Sequence, residues 1–117
     1  MTIQQYLHIL PSLGIGVFVL LYVYASSLYP GGSPINPTSV GFDWVNNYWC
    51  NLTNATAING LPNPARPFVL GATAILCASL CVFFWQFAEL MVENWYWQLA
   101  IKYGGLLAMG LGMCIFT

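Results

Sequence analysis

Charged side chains are almost missing from this sequence. Of its 117 residues, two are Lys or Arg and three are Asp or Glu, so 4% are charged, whereas roughly a quarter of a soluble domain is charged. So few polar groups cannot cover a water-exposed surface on a chain that is 59% hydrophobic. The scarcity excludes an ordinary soluble domain and predicts that lipid is the solvent for much of the chain.

Basic residues are too few for two further classes of protein. A formal net charge of -1 offers no positive surface for a phosphate backbone, so nucleic acid is excluded as a partner. Attachment to a membrane surface through a polybasic patch is excluded too, because it needs a cluster of Lys and Arg. Membrane lipid is therefore the first expected partner.

Sequence motifs of catalysis are also missing. The chain contains no nucleophile elbow, phosphate loop, dinucleotide fingerprint or metal-protease helix. Three of the four cysteines, Cys77, Cys81 and Cys114, fall in apolar segments and only Cys50 lies in a polar loop, so no disulfide framework is indicated. We assign no catalytic residue and no metal site, leave the cofactor unknown, and lean against an enzyme without excluding one.

Long apolar segments dominate what is present. They predict an all-α integral membrane protein, a single membrane domain over 1–117, with about three transmembrane helices at 6–28, 67–92 and 98–117. Thr2 and Gln5 have the spacing of a capping box that starts the first helix near Ile3, and Pro11 predicts a kink. The amino terminus lacks a basic region, so we expect no cleavable signal and a retained first helix.

A long polar loop, 29–66, separates the first two spans and is rich in Pro, Gly and Asn. Within it, Phe42, Val45, Trp49 and Leu52 recur at helical spacing and predict a short amphipathic helix near 42–53. Its aromatic residues favour a position in the membrane interface, where a ring is buried while its polar atom stays hydrated.

Small residues at four-residue intervals predict close helix packing. Gly104, Ala108 and Gly112 form such a face on the third span, and Ala74 with Ala78 forms one on the second. The third span also ends without the charged or aromatic flank that usually anchors a helix. We therefore expect further helices, and a chain that belongs to a larger bundle or a longer protein.

The side of the membrane on which the loop lies is only weakly indicated. Arg66 precedes the second span and Lys102 lies towards the other side, which is nearly a tie for the positive-inside bias. We favour a cytoplasmic amino terminus in a bacterial inner membrane, with the loop periplasmic or extracellular. The sequons at Asn51 and Asn54 are usable only in a eukaryotic secretory pathway and fit chance in an Asn-rich loop.

His8 is the only histidine and lies near the start of the first span. An imidazole there is a candidate contact for haem or a quinone. The plainer interpretation is a polar residue that reaches water at the helix end. A haem would also need a second axial ligand, and the spacing pairs His8 with none.

Four loop residues, Asp43, Asn47, Trp49 and Arg66, are candidate contacts for a ligand or a lipid headgroup. An ion pair between Asp43 and Arg66 would hold the loop over the helix ends. The alternative for Asp43 is a first-turn carboxylate that stabilises the short helix.

Two pairs of reactive side chains lie one helical turn apart. Cys77 and Cys81 could give two ligands to a soft metal, but two ligands do not complete a tetrahedral site and packing is the better interpretation. Glu89 and Glu93 resemble paired catalytic carboxylates, but a solvated helix end explains them better unless Glu89 faces the interior of the bundle.

The runs YPGGSPINP, GFDWVNNYWCNLTN and NGLPNPARP carry a resemblance that extends over about Leu20–Trp85. In these runs the chain resembles a family of uncharacterised bacterial multi-pass membrane proteins that is catalogued only as a domain of unknown function. Members of such families have more spans than three, so the resemblance implies additional helices. It implies no activity and no catalytic residue.

Two functions of different class follow from these patterns. The first is a structural or accessory subunit of a larger membrane complex, with other transmembrane helices or subunits as partners and small-residue faces as contacts. The alternative is an intramembrane enzyme or a lipid- or quinone-binding site at the mouth of the bundle under the loop. Half of a transporter is a third possibility, for which Pro11 is the only hint.

Overall fold

Three long α-helices account for most of the chain in the computed structural model, which describes residues 2–116. They are α1 (Ile3–Leu28), α2 (Arg66–Met91) and α3 (Trp95–Phe116). At 1.5 Å per residue, α1 and α2 extend about 39 Å and α3 about 33 Å, so each exceeds a hydrocarbon core of about 30 Å. All three are long and apolar enough to cross a membrane, and residues 2–116 contain no β-strand.

The helix ends follow local capping. Thr2 N–H donates to Gln5 Oε1 (2.9 Å) and Gln5 N–H donates to Thr2 Oγ1 (3.4 Å), which confirms the capping box and starts α1 at Ile3. α1 continues through Pro11. The third helix begins earlier than its apolar run, because Asn94 Oδ1 accepts the Tyr96 N–H (2.9 Å) and caps α3.

The chain forms two compact units. Val19–Ala72 is here named the loop unit, and Met1–Phe18 together with Thr73–Thr117 is named the helix unit. The loop unit has two isolated β-bridges, Gly31 to Val40 and Thr56 to Pro62.

Two consecutive glycines make the turn after α1 possible. Gly31 and Gly32 have φ of 144° and 92°, which L-residues rarely adopt. A Cβ on Gly32 would lie 2.6 Å from the Asn59 backbone nitrogen. Gly31 O accepts the Asn59 N–H (3.2 Å) and Gly32 N–H donates to Ser39 O (2.9 Å). The glycine segment is therefore hydrogen-bonded to two other segments of the loop, one at Ser39 and one at Asn59.

Asn63 holds the end of the loop from inside. Its side chain is 6% exposed, and its Nδ2 donates to the carbonyl oxygens of Leu52 and Asn54, each at 2.9 Å. Its Oδ1 accepts the Ala65 N–H (3.1 Å) just before α2 begins. A single buried amide therefore satisfies three backbone groups that no regular structure pairs.

In the helix unit, α1 and α2 are in close contact at Gly14 and Ser79. A Cβ on Gly14 would overlap Ser79 Oγ, and Ser79 is buried. Gly105 on α3 meets α2 in the same way, since a Cβ there would lie 2.9 Å from Phe84 Cβ. Small residues thus set both helix crossings.

The short helix expected near 42–53 is smaller than predicted. Residues 44–46 form a turn, and only Trp49–Thr53 is helical, as a 3₁₀-helix. Asparagines in this stretch bond to nearby groups instead of continuing a helix, as short polar side chains commonly do.

Candidate functional site

Asp43 uses its carboxylate to hold its own turn. Oδ1 accepts the backbone N–H groups of Val45 (2.9 Å) and Asn46 (3.2 Å), and Oδ2 accepts Asn46 Nδ2 (2.7 Å). These bonds, the one from the Asn46 side chain first, lower the pKa of Asp43 from its ordinary value because they favour the ionised form. The carboxylate thus acts as a turn cap.

The ion pair expected between Asp43 and Arg66 is wrong. Arg66 Nε instead donates to the Thr53 carbonyl oxygen at 3.1 Å, and the one salt bridge among residues 2–116 joins Lys102 to Glu89. Asp43 bonds within its own turn, as short polar side chains commonly do. Arg66 bonds to a carbonyl group at the end of the 3₁₀-helix, 13 residues earlier in the chain.

Asn47 is buried, with 8% of its surface exposed. Its Oδ1 accepts Asn51 Nδ2 (3.1 Å), its N–H donates to Asp43 O (2.9 Å), and its Nδ2 has no partner among the described residues. Asn51 is buried as well, whereas Asn54 is exposed, so the two sequons differ in accessibility.

Trp49 belongs to an aromatic cluster that joins α1 to the loop. Tyr22 stacks on Trp49 with ring centroids 5.2 Å apart, and its hydroxyl donates to the Trp49 carbonyl oxygen (2.8 Å). Trp49 also contacts Trp44 (6.1 Å), and edge contacts continue through Phe42 to Tyr29. The rings of the cluster that remain half exposed are those of Trp44 and Trp49.

Taken together, the four candidate loop residues lie in one unit, and each has contacts of its own within it. Asp43 and Arg66 stabilise turns, Asn47 is buried, and Trp49 packs on Tyr22. None of them lines any of the five clefts described below.

His8 lies in a polar cleft in the helix unit, here named the His8 cleft. The cleft has a volume of about 140 Å³ and lies between the start of α1 and the end of α2. Its lining consists of Gln4, Leu7, His8, Gln86, Glu89 and Leu90. Four of these six residues, Gln4, His8, Gln86 and Glu89, carry polar side chains, which is unusual between two apolar helices.

Glu89 is the one acidic group of the His8 cleft and is already paired. Its Oε1 lies 3.0 Å from Lys102 Nζ, and the same ammonium lies 4.5 Å from the centroid of the Trp85 ring. Lys102 therefore neutralises Glu89 and joins α2 to α3. Glu93 is exposed in the connection between these helices.

Two grooves border the His8 cleft, and the first of them is almost entirely apolar. The first, of about 260 Å³, is lined by Leu7, Cys81, Val82, Trp85, Gln86 and Leu106. The second, of about 280 Å³, is lined by His8, Pro11, Ser12, Phe83, Gln86, Phe87, Leu90 and Met91. Gln86 contributes to all three spaces and His8 to two of them.

The predicted packing residues of α3 face open space. Nothing lies within 4 Å of a Cβ built on Gly104 or Gly112, and Ala108 is exposed. Gly104 and Ala108 line an apolar groove of about 310 Å³ beside Phe84 and Gly105.

On α2, the predicted packing residues differ in surroundings. Ala74 is exposed, while Ala78 lines a groove of about 400 Å³ beside Gly14 and Ser79. Cys77 and Cys81 are partly buried on α2, and no group of three or more His, Cys, Asp or Glu that could hold a metal occurs in residues 2–116.

Sequence patterns did not single out Gln4 or Gln86 as site residues, nor the Gly14 to Ser79 crossing. Gln86 had a usable signal, because a polar side chain inside the run Val82–Ala88 marks an intramembrane site. Gly14 had none, since a glycine in an apolar helix does not reveal which helix approaches it.

No protein-family model, curated protein or solved structure matches the chain. The resemblance to uncharacterised bacterial multi-pass membrane proteins stays a prediction.

Proposed function

We propose that the chain is a structural or accessory subunit of a larger membrane complex. In this proposal, the face formed by Gly104, Ala108 and Gly112 on α3 packs against a transmembrane helix of another polypeptide. The observation that supports it most is the exposure of α3. Only 6% of the 18-residue apolar window of this helix is buried.

Two features favour a helix over lipid tails as the neighbour of this face. Gly104 and Ala108 line a groove with Gly105 and Phe84, so a partner backbone can approach closely there and gain van der Waals contact. A face of bulky side chains would fill the same space with flexible groups that lipid solvates equally well.

The loop would lie in the membrane interface on the periplasmic or extracellular side of a bacterial inner membrane. Its exposed apolar side chains favour that depth: Val40 is 96% exposed and Val45 88%, and Trp44, Tyr48 and Trp49 are each at least half exposed. Such a surface is costly in water and suits headgroups and upper acyl chains.

The experiment is a native mass measurement on the full chain, extracted in mild detergent from the membrane in which it is expressed. We expect an assembly heavier than the 12.9-kDa chain, and we expect Gly104→Leu to reduce its population. Gly110→Leu is the matched control, since Gly110 also faces open space but lies on a different side of α3.

A strictly monomeric wild-type chain would contradict the proposal. So would equal loss of the assembly in both variants, because that result would indicate general damage to α3.

A further inference from the structure

The His8 cleft is lined by polar side chains that form no hydrogen bonds within the described part of the chain. In residues 2–116 the side chains of Gln4, His8 and Gln86 form no hydrogen bond with the rest of the chain, whereas Glu89 is bound to Lys102. Gln4 and His8 are exposed and Gln86 is partly buried, so in a bilayer these polar groups face lipid, where a polar group is costly unless it meets a partner. Three side chains that can form hydrogen bonds are therefore available around one cleft to a ligand that supplies complementary groups.

The charge around the His8 cleft favours an uncharged ligand. The carboxylate of Glu89 repels a phosphate, and Lys102, which could attract one, already lies 3.0 Å from that carboxylate and over Trp85. The side chains that remain, two amides and an imidazole, donate hydrogen bonds to neutral carbonyl or hydroxyl oxygens.

The size of the His8 cleft fits a single ring. About 140 Å³ is close to the volume of an engineered cavity that accepts benzene. The adjoining groove of about 260 Å³ is almost entirely apolar and shares Leu7 and Gln86 with the cleft. A ring-sized polar headgroup in the cleft could thus continue into an apolar tail along the groove.

We propose that the His8 cleft binds a membrane quinone. The ring carbonyl oxygens accept hydrogen bonds from His8 and Gln86, and the tail lies along the groove beside Cys81 and Leu106. This binding site is independent of the α3 face, so it can be tested separately from the proposed assembly.

The test is a titration of the full chain in lipid nanodiscs with decylubiquinone, a short-tailed quinone, read from quenching of tryptophan fluorescence. Trp85 lines the groove and reports an adjacent quinone. We expect saturable quenching, and we expect His8→Leu and Gln86→Leu each to weaken binding about three- to tenfold, the effect of one lost hydrogen bond.

Two further variants keep the result interpretable if His8→Leu misfolds. His8→Gln retains a donor and should bind within about twofold of the wild type, and so should Tyr6→Phe, which changes an exposed residue of α1 outside the cleft. Quenching that rises linearly without saturation and equally in all variants would overturn the proposal. Displacement of the quinone by phosphatidylglycerol or inorganic phosphate would overturn it too, because it would assign the cleft to an anion.

Discussion

Asp43 illustrates how a lone acidic residue can be structural. Its carboxylate accepts three hydrogen bonds from the turn that follows it, and such bonds satisfy N–H groups that no helix pairs. A single carboxylate among aromatic residues also matches the pattern of a catalytic base, so the sequence alone leaves both interpretations open. The hydrogen bonds show that the carboxylate caps the turn.

The titration of Asp43 should show this directly. Because its pKa is lowered from 3.8, Asp43 stabilises the folded turn fully above that value, and the contribution disappears as the pH falls through it towards the lower folded pKa. The chain contains a single Asp, so ¹³C labelling of Asp gives one carboxyl signal. We expect its midpoint below 3.8 and a higher midpoint in Asn46→Ala; a wild-type midpoint at or above 3.8 would count against the cap.

Asn63 should matter more for stability than other loop asparagines. Asn63→Ala leaves the carbonyl oxygens of Leu52 and Asn54 without their buried donor, which should cost about 1–3 kcal/mol. The matched control is Asn59→Ala, where the lost bond is an exposed one to the Leu61 N–H and the cost should stay below about 1 kcal/mol. Thermal unfolding in detergent, followed by near-ultraviolet circular dichroism, compares them, and equal losses would argue against the special role of Asn63.

Helix packing in the helix unit depends on one glycine of α1. Gly14→Ala places a methyl group on Ser79 and should destabilise the unit by about 1–3 kcal/mol through overpacking. Gly16→Ala meets nothing within 4 Å and should be neutral or stabilise α1 by about 0.5–1 kcal/mol. Thermal unfolding of the two variants in the same detergent measures the difference.

A second-site change tests whether the Gly14 effect comes from the crossing itself. Ser79→Gly removes Oγ and Cβ, the two atoms with which the new methyl group would clash. It should therefore restore part of the stability lost in Gly14→Ala. Failure of this rescue would mean that another contact causes the loss.

The sequence predicted elements far better than contacts. Long apolar runs require helices in lipid because every backbone group must be paired internally, and the capping box at Thr2 located the start of α1. The approach of Gly14 to Ser79 and the burial of Asn47 depend on which segments meet in space. Neither hydropathy nor residue spacing carries that information.

For the candidate site too, the sequence indicated single residues but not the contacts between them. His8 was recognisable as a single ionisable residue at a span, but its neighbours Gln86 and Glu89 come from a helix almost eighty residues further along the chain. The loop residues Asp43 and Arg66 were identified by their charge, which does not indicate the local hydrogen bonds that each of them forms.

For the molecule as a whole, the three helices are each long and apolar enough to cross a membrane. We propose that α2 crosses the bilayer, with the loop between α1 and α2 on one side of the membrane and the connection from Val92 to Asn94 on the other. The periplasmic or extracellular position proposed for the loop requires this arrangement.

Cysteine labelling in intact cells measures the arrangement. In a chain with Cys77, Cys81 and Cys114 replaced by Ala, the exposed Cys50 of the loop should react with a membrane-impermeant maleimide added outside. A second chain that also carries Cys50→Ala and Glu93→Cys should react only after the membrane is permeabilised. Labelling of both positions from the same side would contradict a membrane-spanning α2.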